Sequence, residues 1–239
     1  MTRGLLLVTG GGRGIGAAVA RAAAADGWQV VVNYARDATS ADAVAAEIGG
    51  VAVQGDATTP DGIEALFTAV DAIGPIKGLV NNAGGSADFA IAEMTLAQYD
   101  SLMNANLRST AFCSAAAVRR MAASGGGSIV NIGSRAAQTG GQPLRVMYAA
   151  AKGAVDGFTK GLANEVGKQG IRVNCVRPGV IRTATHEAKA GPERLRSMTA
   201  AAALGRPGEP EEVAQLVTFL LSERASYMTG ALVDIGGGR

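Results

Sequence analysis

Short runs of valine, isoleucine and leucine punctuate the chain at 5–9 (LLLVT), 28–34 (WQVVVNY), 51–55, 78–82, 128–132, 171–176 and 231–235. Each has the length of a strand and is apolar at successive positions, the pattern of a strand buried on both faces. Between them lie stretches of helical length, 15–26, 60–73, 101–123, 148–167 and 209–222, in which alanine is frequent and helix propensity high. Doubly buried strands alternating with helices predict a doubly wound α/β fold: a seven-stranded parallel sheet with helices on both faces. No Pro/Ser-rich linker, charge block or fixed-period repeat interrupts the alternation, so 1–239 is predicted to form one domain. Alanine runs such as 22–25 and 149–151 read as surfaces for close helix packing.

Charge and composition remove several classes of function. The formal net charge of +2 is spread without basic runs, which predicts no nucleic-acid partner. No stretch approaches the roughly 20 apolar residues that span a bilayer, and the four apolar residues LLLV before the glycines at 10–12 are too few for a secretory segment. Cys113 and Cys175 are isolated from one another and form neither a disulfide framework nor a metal cluster. A cytoplasmic protein with two reduced core thiols, no membrane association and no metal is the expectation.

After the first strand comes TGGGRGIG, residues 9–16, leading into an alanine-rich helix. Glycines at this place let the backbone turn sharply and let a pyrophosphate approach the helix N-terminus, where free N–H groups favour anions. The spacing of Gly10, Gly14 and Gly16 differs from G-x-G-x-x-G, and a tight turn without a ligand is the alternative. Further along, YAAAK places Tyr148 and Lys152 one turn apart on one helix face. An ammonium near a phenol favours the phenolate, which suits a proton donor and acceptor. NIGS, residues 131–134, ends a strand with a hydroxyl, Ser134, at the carboxyl edge where open α/β sheets bind ligands.

Thr9-Gly10-x-x-x-Gly14-x-Gly16, then NNAG at 81–84, Tyr148-x-x-x-Lys152 and RPG at 177–179 arrive in an order that resembles the classical short-chain dehydrogenase/reductase family. The likeness runs over about 3–238. It implies a single-domain Rossmann fold and hydride transfer between a nicotinamide and a carbonyl or secondary alcohol. By that resemblance Tyr148 donates the proton, Ser134 holds the substrate oxygen, Lys152 supports Tyr148 and binds ribose, and Asn106 kinks its helix and anchors a water relay. Ser128 and Asn104 are the competing serine and asparagine. The resemblance also implies a cofactor cradle of Thr9, Gly10, Gly12, Arg13, Gly14, Ile15 and Gly16. Asp56 and Ala57 fall at adenine, Asn82, Ala83 and Gly84 along the adenosine side, and Pro178, Gly179, Ile181 and Thr183 at the nicotinamide. The step from Ser134 to Tyr148 is one residue longer than in many relatives, which implies a repositioned loop and a substrate pocket shifted with it.

The end of the second strand bears on the cofactor. A site for NAD(H) usually places a carboxylate there, whereas this chain has Asn33 and Tyr34, with Asp37 farther on and Arg13 and Arg36 able to hold a 2′-phosphate. NADP(H) is therefore the expected cofactor, with NAD(H) as the other reading. The expected substrate is a sugar, polyol or small ketone. The alternatives are a 3-oxoacyl-[acyl-carrier-protein] reductase, for which Arg119, Arg120 and Arg135 offer an acidic-partner patch although ordinary surface charge is the stronger reading of them, or a non-catalytic NADP-binding regulator. A Ser134/His186 hydrolase lacks the elbow that would expose its serine. Residues 184–206, including His186, are read as a mobile lid. A homotetramer, or a dimer through the same helices 101–123 and 148–167, is expected from the family habit.

Overall fold

The computed structural model describes residues 3–183, 199 and 202–238. Seven strands form one parallel sheet: β1 (Leu5–Val8), β2 (Gln29–Tyr34), β3 (Val51–Gln54), β4 (Ile76–Asn81), β5 (Gly127–Ile132), β6 (Ile171–Pro178) and β7 (Leu232–Ile235). Their order is β3-β2-β1-β4-β5-β6-β7. The reversal between β1 and β4, whose ends meet at Val8 and Val80, is the topological switch point where a crevice opens at the carboxyl edge.

The reading of the strands as buried on both faces holds for β1, β2, β4, β5 and β6, whereas the edge strands β3 and β7 are only partly covered. Leu6, Val8, Val30, Val32, Val80, Val130 and Val176 turn to one face and pack under α1 (Gly14–Ala25) and a helix over Pro210–Leu221. Leu5, Leu7, Val31, Leu79, Ile129 and Val173 turn to the other. There they meet α3 (Pro60–Ile73) through Leu66, Phe67 and Val70, α5 (Ser109–Ala123) through Cys113, Ala116 and Ala117, and α7 (Val146–Val166) through Ala163 and Val166. The first face is lined by alanines of α1, which let the two helices approach closely.

Two elements depart from the pattern. A further helix, α2 (Ala38–Ile48), joins β2 to β3; Asp37 caps it by accepting from the Ser40 N–H, and Gly49 closes it at φ 64°. The stretch 101–123 is not one helix. It consists of the end of α4 (Leu96–Met103), a wide π turn over Asn104–Arg108, and α5. The turn opens because the buried Asn106 amide donates to Leu102 O at 2.8 Å, while the Thr110 hydroxyl donates to Asn106 O at 2.7 Å. Such wide turns cluster at functional sites. Between β5 and α7 lies the short α6 (Ala136–Thr139), and the Pro210–Leu221 helix is α8. No helix among the described residues is long and apolar enough to cross a membrane. Of the expected lid, residues 184–198, His186 among them, and 200–201 lie outside the described residues.

Candidate active site

At the carboxyl edge the glycine turn is locked by side chains. Thr9 Oγ1 donates to Val80 O and accepts from the N–H groups of Asn82 and Ala83, both at 3.0 Å. Asn82 Nδ2 returns two bonds of 3.0 Å, to Thr9 O and Gly10 O. Only glycine fits at 16, since a Cβ there would stand 2.3 Å from Gly10 O and 2.5 Å from Asn82 Nδ2. Gly10 and Gly14 take φ of 61° and 51°, a region L side chains avoid. The first turn of α1 carries no acidic residue, and Arg13 makes no capping bond, so its N–H groups are open to an anion.

Asn106, Ser134, Tyr148 and Lys152 all line one cleft of about 540 Å3 beside this turn, with Gly10, Arg13, Gly14, Ile15, Asn82, Ala83, Gly84, Pro178, Gly179, Ile181 and Thr183. The buried Lys152 ammonium donates to Ile132 O at 2.8 Å. Above Gly84, the point a Cβ would occupy is 3.1 Å from Asn106 Oδ1 and 3.4 Å from Lys152 Nζ. Asn106 Oδ1 is buried and has no partner among the described residues, so the acceptor and the ammonium face one small space. Ser134 Oγ accepts from the Ala136 N–H at 3.1 Å, which fixes the turn after β5.

An adjoining cavity of about 540 Å3 holds Gly12, Asn33, Tyr34, Arg36, Asp56 and Ala57, and shares Gly10, Arg13, Ala83 and Gly84 with the first. Together the two form a groove whose glycine cradle and free N–H groups fit a dinucleotide. Asn33 lines it in an unexpected way. Its amide is turned inward, accepting from the Gly10 N–H at 3.3 Å and donating to the carbonyls of Tyr34, Val53 and Gly55 at 3.3, 3.3 and 2.9 Å. It braces the turn against β3, with its polar atoms committed to backbone. Arg36 is exposed at the rim. Asp37 is held below the usual carboxylate range by the Ser40 hydroxyl and N–H first, with Arg13, 3.5 Å away, adding to them. Asp56 caps its own loop by accepting from the N–H and hydroxyl of Thr58.

The competing residues lie elsewhere. Ser128, at the amino end of β5, donates to Leu220 O, and Asn104 lines the second cavity. Arg120 is bound to Asp71 and stacked on Phe67, and Arg135 is bound to Asp234. These two guanidiniums are therefore already paired, and only Arg119 of the three is exposed.

One network at the cleft was not anticipated. The nearly buried Arg177 joins Asp156 of α7 (3.2 Å) to Asp234 of β7 (2.6 Å), and Asp234 also takes Arg135, the residue after Ser134. Asp156 lies one turn beyond Lys152. The chain of charges thus ties the serine turn, β6, β7 and α7 together behind the cleft. Its sequence signal is a carboxylate inside the apolar run ALVDI.

A family model described as "Enoyl-(Acyl carrier protein) reductase" matches residues 10–239. The chain belongs to the short-chain dehydrogenase/reductase family. It is 41% identical to "Uncharacterized oxidoreductase YgfF" of Escherichia coli (strain K12), covering 98% of this chain and 99% of that protein. It is 40% identical to a "3-oxoacyl-[acyl-carrier-protein] reductase" of Synechocystis, covering 100% and 97%. Two solved structures share the fold. One, described as a "short chain dehydrogenase/reductase family protein", has a TM-score of 0.90 at 39% identity, covering 99% of this chain and 97% of that one. The other, described as ribose-5-phosphate isomerase from Brucella melitensis 16M, has a TM-score of 0.94 at 35% identity, covering 100% and 92%. The protein is an oxidoreductase of this family.

Proposed function

We propose that residues 1–239 act as one unit that moves a hydride between NADP(H) and a small ketone or its secondary alcohol. The observation that carries this reading is the convergence of Asn106, Ser134, Tyr148 and Lys152 on one cleft that is continuous with the glycine turn. Bound nicotinamide would supply or accept the hydride. The protein's residues manage the rest: Ser134 Oγ orients the carbonyl oxygen, Tyr148 passes it the proton, and Lys152, anchored on Ile132 O, would hold the cofactor's ribose. Water held between Asn106 Oδ1 and Lys152 would return the proton to Tyr148. Thr183, facing Gly14, and Pro178–Gly179 would border the nicotinamide.

NADP(H) is favoured by the absence of a free carboxylate at the end of β2. Asn33 occupies that place with its amide turned inward, Asp37 is engaged by Ser40 and Arg13, and Arg13 and Arg36 stand at the rim. A 3-oxoacyl-[acyl-carrier-protein] reductase is the second reading, favoured by the Synechocystis relative. The two isolated buried thiols suit a cytoplasmic setting.

A homotetramer is proposed from two features. Gly153, Gly157 and Gly161 form an open stripe along α7, with nothing within 4 Å of a Cβ at any of them. Phe112 on α5 is 55% exposed. A solution mass of 24.0 kDa by light scattering would refute assembly.

The test of function is turnover with NADPH against a panel of ketones, sugars and acyl thioesters, for the parent and Tyr148→Phe. The variant is expected to keep cofactor affinity and lose about 10²–10⁴ in kcat. Comparable turnover by both proteins would remove Tyr148 from the mechanism.

A further inference from the structure

Beside Tyr148 the cleft extends into a pocket of about 110 Å3. Apart from Ser134 and Tyr148, the polar side chains of its wall are Arg135, Thr139, Gln142 and Arg145, with no carboxylate among its described residues. Arg145 is held from outside this wall. Its Nε donates to Asp88 Oδ1 at 2.7 Å and Nη2 to Oδ2 at 3.4 Å, while Nη1 has no partner among the described residues. The side chain is 16% exposed, so the carboxylate fixes the plane of the guanidinium and leaves Nη1 uncommitted on a residue of the pocket wall.

The backbone enforces this placement. Leu144, directly before Arg145, has φ 70°, the one non-glycine residue at positive φ among those described. Its carbonyl is pinned by the Phe89 N–H at 3.0 Å. A leucine has no side-chain hydrogen bond to ease that conformation, and strain of this kind persists where neighbouring contacts dictate it, often at ligand clamps. Arg145 then enters the wall three residues before Tyr148.

A neutral ketone closing this pocket would strip water from Nη1 and offer it no strong acceptor, which disfavours such substrates. An anionic oxygen would satisfy it with a charge-assisted bond. We propose that Arg145, with Gln142 and Thr139, binds an anionic group, carboxylate or phosphate, on the substrate whose carbonyl Ser134 and Tyr148 address. This rests on the reading of the cleft as a hydride-transfer site.

The test compares kcat/KM for acetoacetate and levulinate with their methyl esters, and for dihydroxyacetone phosphate with dihydroxyacetone, in the parent, Arg145→Met and Arg145→Lys. The parent is expected to prefer the acid or the phosphate by roughly tenfold to a hundredfold. Methionine should abolish the preference and lysine restore part of it, and the two arms separate carboxylate from phosphate. Esters used as well as acids, or a methionine variant that loses both equally, would overturn the proposal while leaving the hydride-transfer reading intact. Calorimetric binding of acetoacetate and of dihydroxyacetone phosphate to parent and Arg145→Met gives a readout without turnover. Binding that needs Arg145, in a protein that reduces no carbonyl, would uphold the anion site and defeat the hydride-transfer reading. Binding of neither probe, or binding unaffected by the substitution, would end the proposal.

Discussion

Replacing Arg177 by methionine tests whether the charge network behind the cleft carries stability. The guanidinium is 7% exposed and lies between Asp156, at 14%, and Asp234, at 38%. Asp234 keeps Arg135 and reaches solvent, so it loses little. Asp156 loses its only ion-pair partner among the described residues and is left against the Cys175 thiol, 3.6 Å away, in a place with little access to water. Breaking a buried pair from one side costs about 3–5 kcal/mol. With one carboxylate still paired and partly solvated, a loss of about 3 kcal/mol is expected, or roughly 6–12 °C in Tm for a chain of this size. Unfolding should be followed by urea and by heat at one fixed protein concentration, because assembly would shift the midpoint. Asp156→Asn in the Arg177→Met background removes the stranded charge and is expected to recover about half of the loss. A single variant less than about 1 kcal/mol below the parent, or a double variant worse than the single, would refute this account of the network.

Other outcomes are expected at separate places. Lys152→Met should lose activity and bind NADPH about tenfold to a hundredfold more weakly, and unchanged cofactor affinity by fluorescence titration would exclude the ribose contact. Arg13→Ala with Arg36→Ala should move the kcat/KM ratio of NADPH to NADH toward NADH by at least about tenfold, and an unmoved ratio would exclude both from the 2′-phosphate. Two Arg206 bonds of 2.8 Å, with the Glu209 N–H, lower Glu212 to about 2 from 4.5. The stabilisation is therefore present above pH 4.5 and lost as pH falls through about 2, so the gap in urea midpoint between parent and Glu212→Gln should close across that window. Burial pushes both thiols up to about 12, and neither should react with a disulfide reagent at about pH 8 until the chain unfolds; rapid labelling of the native protein would contradict this.

The inner strands were legible because each is apolar on both faces, a pattern that needs no knowledge of its neighbours, while the partly covered edge strands β3 and β7 were legible as short apolar runs. Helix α2 was not, since ARDATSADAVAAEIGG mixes acidic and small residues and its start depends on Asp37 bonding to Ser40. The break at Asn106 was invisible to periodicity, because the turn widens through side-chain bonds to Leu102 O and from Thr110, and the residues on either side remain good helix formers. Sequence identified Asn33 as the residue near the end of β2, but the direction of its amide follows from the register with β3, where Asn33 stands opposite Val53.

The charge network shows the same limit and what lies beyond it. Arg177 and Asp234 are far apart in the chain and become partners only because β6 and β7 pair in parallel with those two residues in register. Once the strand order is known, their contact follows from geometry: a buried arginine on one strand meets a carboxylate on the next. The consequence reaches the cleft, since Arg177 directly precedes Pro178, and the Pro178 carbonyl receives the Arg135 N–H at 2.9 Å. The position of Ser134 relative to Tyr148 therefore depends on a strand at the edge of the sheet as well as on the helix that carries the tyrosine. Substitutions at Asp234 should disturb kcat more than cofactor affinity, because the glycine turn of the proposed dinucleotide groove is built on β1 and β4, four and three strands away in the order, and only its Pro178–Gly179 border lies next to Arg177.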